Sequence, residues 1–105
     1  MSYELRTYTA AEGKMNDLLR RFQEHTMALF EQHRMTSIGY WIAASDPSTL
    51  VYLIRHEGSA QENWATFTAD PAWISAKAAS IESGELITRI ESVLLTPTDF
   101  SPLQD

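Results

Sequence analysis

Four strand-like runs, with too few helices to cover them, set the tightest limit on what this chain can fold into. The runs are Tyr3 to Thr9, Ser37 to Ala43, Leu50 to His56 and Ile87 to Leu95. Between them lie one long amphipathic segment and one broken helical stretch, in the order β-α-β-β-α-β. Two helical segments cover one face of a four-stranded sheet. Yet the strands are apolar or aromatic at both parities: Ile38, Tyr40 and Ile42 against Trp41 and Ala43, and Leu50, Tyr52 and Ile54 against Val51 and Leu53. An antiparallel sheet with one wet face reads apolar-in and polar-out. This one does not, so its second face needs a cover, and the simplest cover is a second copy of the same chain.

Local signals place the elements. Gly13 ends a turn after the first strand and is free to take a positive φ. From Lys14 to His33, Met15, Leu18, Leu19, Phe22, Thr26, Leu29, Phe30 and His33 share one face at helical spacing. Gly39 inside the second strand marks a bulge or a close approach by other atoms. Ser45 to Ser48 is a turn cluster that makes strands two and three a hairpin. Ser59 and Glu62 match a capping box, starting a short helix from Ala60 to Ala69. Asp70 and Pro71 suit the N-cap and first position of a second helical piece, which runs to about Ser83 with Gly84 as its stop.

The bulk numbers exclude several classes. The 105 residues fit one domain, with residues 1–95 as core and 96–105 as a C-terminal tail carrying Phe100 and Leu103. A net charge of −6, with Lys and Arg scattered, argues against a nucleic-acid partner. No apolar run approaches the roughly 20 residues of a membrane span. Cysteine is absent, which removes disulfides and thiolate chemistry. The first strand begins so close to Met1 that no leader segment fits ahead of it, and the expected location is the cytoplasm.

Several blocks together carry a family likeness: Tyr3-Glu4-Leu5-Arg6-Thr7-Tyr8, Gly39-Tyr40-Trp41, the run from Trp64 through Phe67 and Asp70-Pro71 to Trp73, and the ending Pro97 to Pro102. In this order they resemble the NIPSNAP family over nearly the whole chain. The resemblance implies an α+β fold: a ferredoxin-like βαββαβ protomer, four-stranded antiparallel sheet with helices on one face, pairing into a dimeric α/β barrel. Biochemical activity in that family is poorly defined. Structural relatives include small monooxygenases, dehydratases and haem proteins that degrade chlorite.

Candidate chemistry is sparse. Glu4, Arg6 and Tyr8 share one parity of the first strand, as either a polar ligand site or an internal Glu4–Arg6 pair hydrogen-bonded to Tyr8. Arg55 on the third strand offers a partner with which Arg6 would clamp an anion; an interfacial salt-bridge network, joined by Arg89 and Glu91, is the plainer account. Tyr3 and Leu5 suit the helix side better than Glu4 and Arg6. That choice sends Arg6, Tyr8 and Arg55 to the barrel interior. His25 flanks the apolar stripe of the first helix and is the candidate acid–base group of any enzyme; a satisfied structural histidine is the plainer role. His25, His33 and His56 lack metal-ligand spacing, so no metal is expected, and no cofactor fingerprint is present. Trp41 and Trp73 are candidate walls of a pocket between sheet and helices. The leading expectation is thus a homodimer binding a small apolar or aromatic ligand. The alternatives are a cofactor-independent oxygenase or isomerase using His25, and a scaffold dimer without a ligand.

Overall fold

The computed structural model describes residues 2–104. Strands β1 (Ser2–Ala10), β2 (Met35–Ile42), β3 (Thr49–His56) and β4 (Ile87–Leu95) form one antiparallel sheet in the order β2-β3-β1-β4. Helices lie on one face of it, in the α+β arrangement expected. The first helical segment comprises α1 (Met15–Arg21), a π segment (Phe22–Thr26) and α2 (Met27–Gln32). The second comprises α3 (Ala60–Ala69) and α4 (Pro71–Ser80).

The punctuation follows the sequence closely. Gly13 has φ +74°. The Ser59 hydroxyl accepts from the Glu62 N–H at 3.2 Å, and the Asp70 carboxylate accepts from the Ala72 N–H at 2.9 Å with Pro71 opening α4. The helix ends at Ser80, short of Ser83. Gly39 is both a bulge neighbour and a close approach. The β2–β3 register slips between Ser37 and Gly39, and a Cβ on Gly39 would lie 2.5 Å from the Trp41 ring.

The π segment departs from the uninterrupted α-helix expected over Lys14 to His33. Its inward positions Leu18, Phe22, Thr26 and Phe30 recur every four residues, slower than an α-helix turns. One wider turn, in which the Met27 N–H donates to the Phe22 carbonyl, keeps them aligned.

The sheet parity is the reverse of that expected from Tyr3 and Leu5. Glu4, Arg6 and Tyr8 point toward the helices together with Tyr52, Ile54 and His56, and pack there with Phe22, Phe30 and Trp64. Tyr3, Leu5 and Thr7 lie on the open face, paired with Arg55, Leu53 and Val51. The reason is energetic. Glu4 is only 3% exposed but finds four donors on the helix side, so burying it leaves no unpaired charge.

The open face carries Trp41, Val93 and Leu95, all well exposed. The tail crosses one end of it. The Tyr3 hydroxyl donates to the Gln104 carbonyl at 2.6 Å, and Leu103 and Pro97 share a groove with Tyr3, Leu53 and Leu95. Phe100 stays 87% exposed and anchors nothing. No described helix is long and apolar enough to cross a membrane.

Candidate functional site

The helices cover β2, β3 and β1 but leave β4 largely bare, with Ile90 and Leu94 exposed on the helix side. The uncovered strip opens a cleft of about 200 Å³ between α3, α4, the π segment and β4. Its walls are Trp64, Phe67 and Trp73 from the helices, with Phe22 and Phe30 from the first helical segment. Phe67 and Trp73 pack at a 36° tilt with ring centroids 4.7 Å apart, and Trp64 meets Phe67 edge-on at 5.5 Å. The Asp70-Pro71 break brings these rings together: a cap and a proline let the chain turn between Phe67 and Trp73.

The polar floor is built on Arg6. Its Nε donates to the Tyr52 hydroxyl at 2.9 Å, Nη2 to the Tyr8 hydroxyl at 3.1 Å, and Nη1 to Glu4 at 2.8 Å. The two phenols are themselves 2.8 Å apart. The guanidinium lies 4.3 Å from the centre of the Trp64 ring, within cation–π range. Burial works against its charge, but Tyr8, Tyr52 and Glu4 outweigh that and hold Arg6 above its ordinary value. Burial raises the Tyr52 phenol well above its usual range.

Glu4 anchors this floor. Its Oε1 accepts from His56 Nε2 at 2.6 Å and Trp64 Nε1 at 2.7 Å; its Oε2 accepts from Arg6 and the Ser92 hydroxyl. Burial pushes the carboxyl up, but the bonds from His56, Ser92, Trp64 and Arg6 more than offset it and bring it down to about 2. The Asn63 amide faces His56 Nδ1 at 3.1 Å as a donor, which leaves His56 Nε2–H for Glu4.

The sequence candidates separate into two groups. Arg6, Tyr8 and Trp73 line the cleft. Trp41 does not: it is 54% exposed on the opposite face. Arg55 is also on that opposite face, so Arg6 and Arg55 are divided by the sheet and form no clamp. His25 is exposed on the π segment, in a separate surface groove with Asp17, Arg20 and Ser80, and does not reach beneath the helix. Sequence reasoning missed Arg21, His56 and Asn63. Arg21 follows Leu18 by three residues, which places it beside the buried stripe. His56 shares the parity of Ile54 and Tyr52, a signal available from the strand alone. His33 pairs with Asp70 at 2.7 Å and with Thr66, a structural role that ties the first helical segment to the helix break. Among the described residues, no three His, Cys, Asp or Glu side chains are grouped to hold a metal.

The family model for NIPSNAP matches residues 3–102. Among solved structures, the chain is 27% identical to protein Atu4242 from Agrobacterium tumefaciens, covering 99% of this chain and 100% of that one with a TM-score of 0.81. It is 24% identical to a NIPSNAP domain protein from Burkholderia xenovorans, covering 97% and 99% with a TM-score of 0.80. An antibiotic biosynthesis monooxygenase shares the fold at 12% identity, covering 93% and 99% with a TM-score of 0.63. No curated protein matches the chain.

Proposed function

The chain belongs to the NIPSNAP family, and from that premise we propose that it is a small-ligand-binding protein whose cleft between sheet and helices takes a small apolar or aromatic molecule. The observation that carries this reading is the cleft itself. Six aromatic rings line it, and the Tyr8 ring among them belongs to a hydrogen-bonded polar floor built on Arg6. Apolar walls with a few fixed polar groups are the common make-up of a small-molecule site. At about 200 Å³ the space suits a compound of one or two rings.

The functional unit in this reading is a homodimer joined through the open sheet face. Val93, Leu95 and Trp41 are too exposed and too apolar to suit water as a permanent neighbour. A stable dimer of this kind buries on the order of 2,000 Å² or more. An oxygenase or isomerase using His25 fits less well, because His25 is exposed in a groove remote from the aromatic walls.

Native mass spectrometry of freshly purified protein tests both parts. The expected result is a dimer that carries a small molecule or accepts small aromatic compounds added to it. A monomer at micromolar concentration overturns the assembly. An aromatic library that leaves the melting temperature unmoved overturns the ligand.

A further inference from the structure

The cleft lining is electrostatically one-sided. Arg6, Arg21 and Lys77 reach it, and among the described residues no Asp or Glu lines it, on a chain whose net charge is −6. The two arginines differ sharply. Arg6 is compensated by Glu4. Arg21 is only 6% exposed, yet among the described residues no carboxylate lies within ion-pair distance of it. Its Nη1 donates to the Ser80 hydroxyl at 3.1 Å. Its Nε is the single buried side-chain nitrogen or oxygen among the described residues without a hydrogen-bond partner. Its Nη2 has no partner among those residues either. The Nε–Nη2 edge of Arg21 therefore makes no hydrogen bond among the described residues, and that edge is the guanidinium fork that grips a carboxylate with two parallel bonds.

Glu85, in a neighbouring groove with Arg21 and Lys77, attracts the Arg21 charge only from beyond ion-pair distance, and a buried N–H without an acceptor is costly. The fold nevertheless holds Arg21 in place, with its guanidinium 5.1 Å from the centre of the Trp73 ring. The Thr26 hydroxyl donates to the Arg21 carbonyl at 3.3 Å across the π segment. Trp73 and Thr26 line the same cleft. A flat ring between the aromatic walls, with an anionic head on the Arg21 fork, would supply the missing acceptor and a counter-charge at contact distance.

Building on the reading of the cleft as an aromatic ligand site, we propose that its ligand is a small aromatic carboxylate, held by Arg21 at its acid group and by Trp64, Phe67 and Trp73 at its ring. Arg6 forms the fixed floor beneath the ring, and Lys77 adds long-range attraction at the rim.

Matched acid and amide pairs test this on the full-length protein: benzoate with benzamide, and 1-naphthoate with 1-naphthamide, titrated by calorimetry. The acids should bind at least about tenfold tighter than their amides, as expected for loss of a charge-assisted pair. In Arg21→Gln that preference should vanish. The indole N–H resonances of Trp64 and Trp73 should shift on binding and that of Trp41 should not. Equal affinity of acid and amide overturns the anion site but leaves the aromatic cleft standing. A preference that survives in Arg21→Gln overturns the role of Arg21. Binding of neither compound overturns both readings. If Arg21→Gln fails to fold, Arg21→Lys keeps the charge without the fork, and retention of the full preference there also overturns the proposal.

Discussion

The two faces of the sheet are made by the same strands and obey opposite rules. The covered face holds the charged residues of β1, and the open face holds much of its apolar surface. Glu4 and Arg6 sit under the helices among Tyr52, Trp64 and His56. Trp41, Val93 and Leu95 stand in the open. Burial here follows the availability of hydrogen-bond partners. The helix side offers Glu4 an imidazole, an indole, a hydroxyl and a guanidinium, and an ion with four donors is tolerable where an unpaired one is not. The open face carries Arg55 as its counterpart cation, and among the described residues no buried carboxylate pairs with it there.

The sharpest way to break this contrast is Glu4→Ala. It strands His56, Trp64 and Arg6 together, and a loss of roughly 3–5 kcal/mol is expected for removal of one partner from a buried charged network. Urea melts measure it, and a loss below about 1 kcal/mol would show that the network is decorative. Its pH dependence has a defined sign. The folded carboxyl sits at about 2 against an ordinary 4.5. Its contribution is therefore complete above pH 4.5 and is lost as the pH falls toward 2. In Glu4→Gln the unfolding midpoint should fall less steeply across that window than in the parent.

Val93→Glu probes the other face. It leaves the protomer fold intact because Val93 is already half exposed. It should weaken self-association at least about 100-fold, near 3 kcal/mol. Sedimentation that still gives the parent's mass would separate the open face from assembly. Asp70→Ala removes both the α4 cap and the His33 pair, and should lower the melting temperature by a smaller margin than Glu4→Ala. His33→Ala made on that background should then add little. The smallest effect is expected for Gly39→Ala. The nearest atoms to the new methyl are at the far end of the exposed Trp41 ring. Stability should move by less than about 0.5 kcal/mol while Trp41 fluorescence shifts.

Most of the architecture was legible because it is written in local chemistry. Ser59, Asp70 and Pro71 name their own positions in a cap, and Gly39 names its bulge. The parity of β1 was not legible. Both of its faces are partly apolar, so alternation gives two faces without saying which one the helices choose. The choice depends on His56 and Trp64, 52 and 60 residues away from Glu4. The same long-range decision moved Trp41 and Arg55 out of the site while Arg6, Tyr8 and Trp73 stayed. His25 was placed by extending a uniform α-helical period through a segment that does not keep it.

That segment makes the first helical segment two rotors joined at a fixed phase. Each four-residue step of an α-helix overshoots a full turn by about 40°, so Leu18 and Phe30 would diverge by about 120° on an unbroken helix. The wide turn resets the phase. It also makes the length of this helix a setting that local and tertiary interactions would choose differently. Deleting Gln23, an exposed residue of the π segment, would let the backbone ladder close into better α-geometry. It would also swing α1 by roughly 100° relative to α2 and carry Arg21 away from Trp73. A solvent-facing residue would then prove indispensable for its place in the count, whatever its side chain. Cut free of the sheet, a peptide spanning residues 14–33 has no reason to keep the offset and should relax to an uninterrupted α-helix.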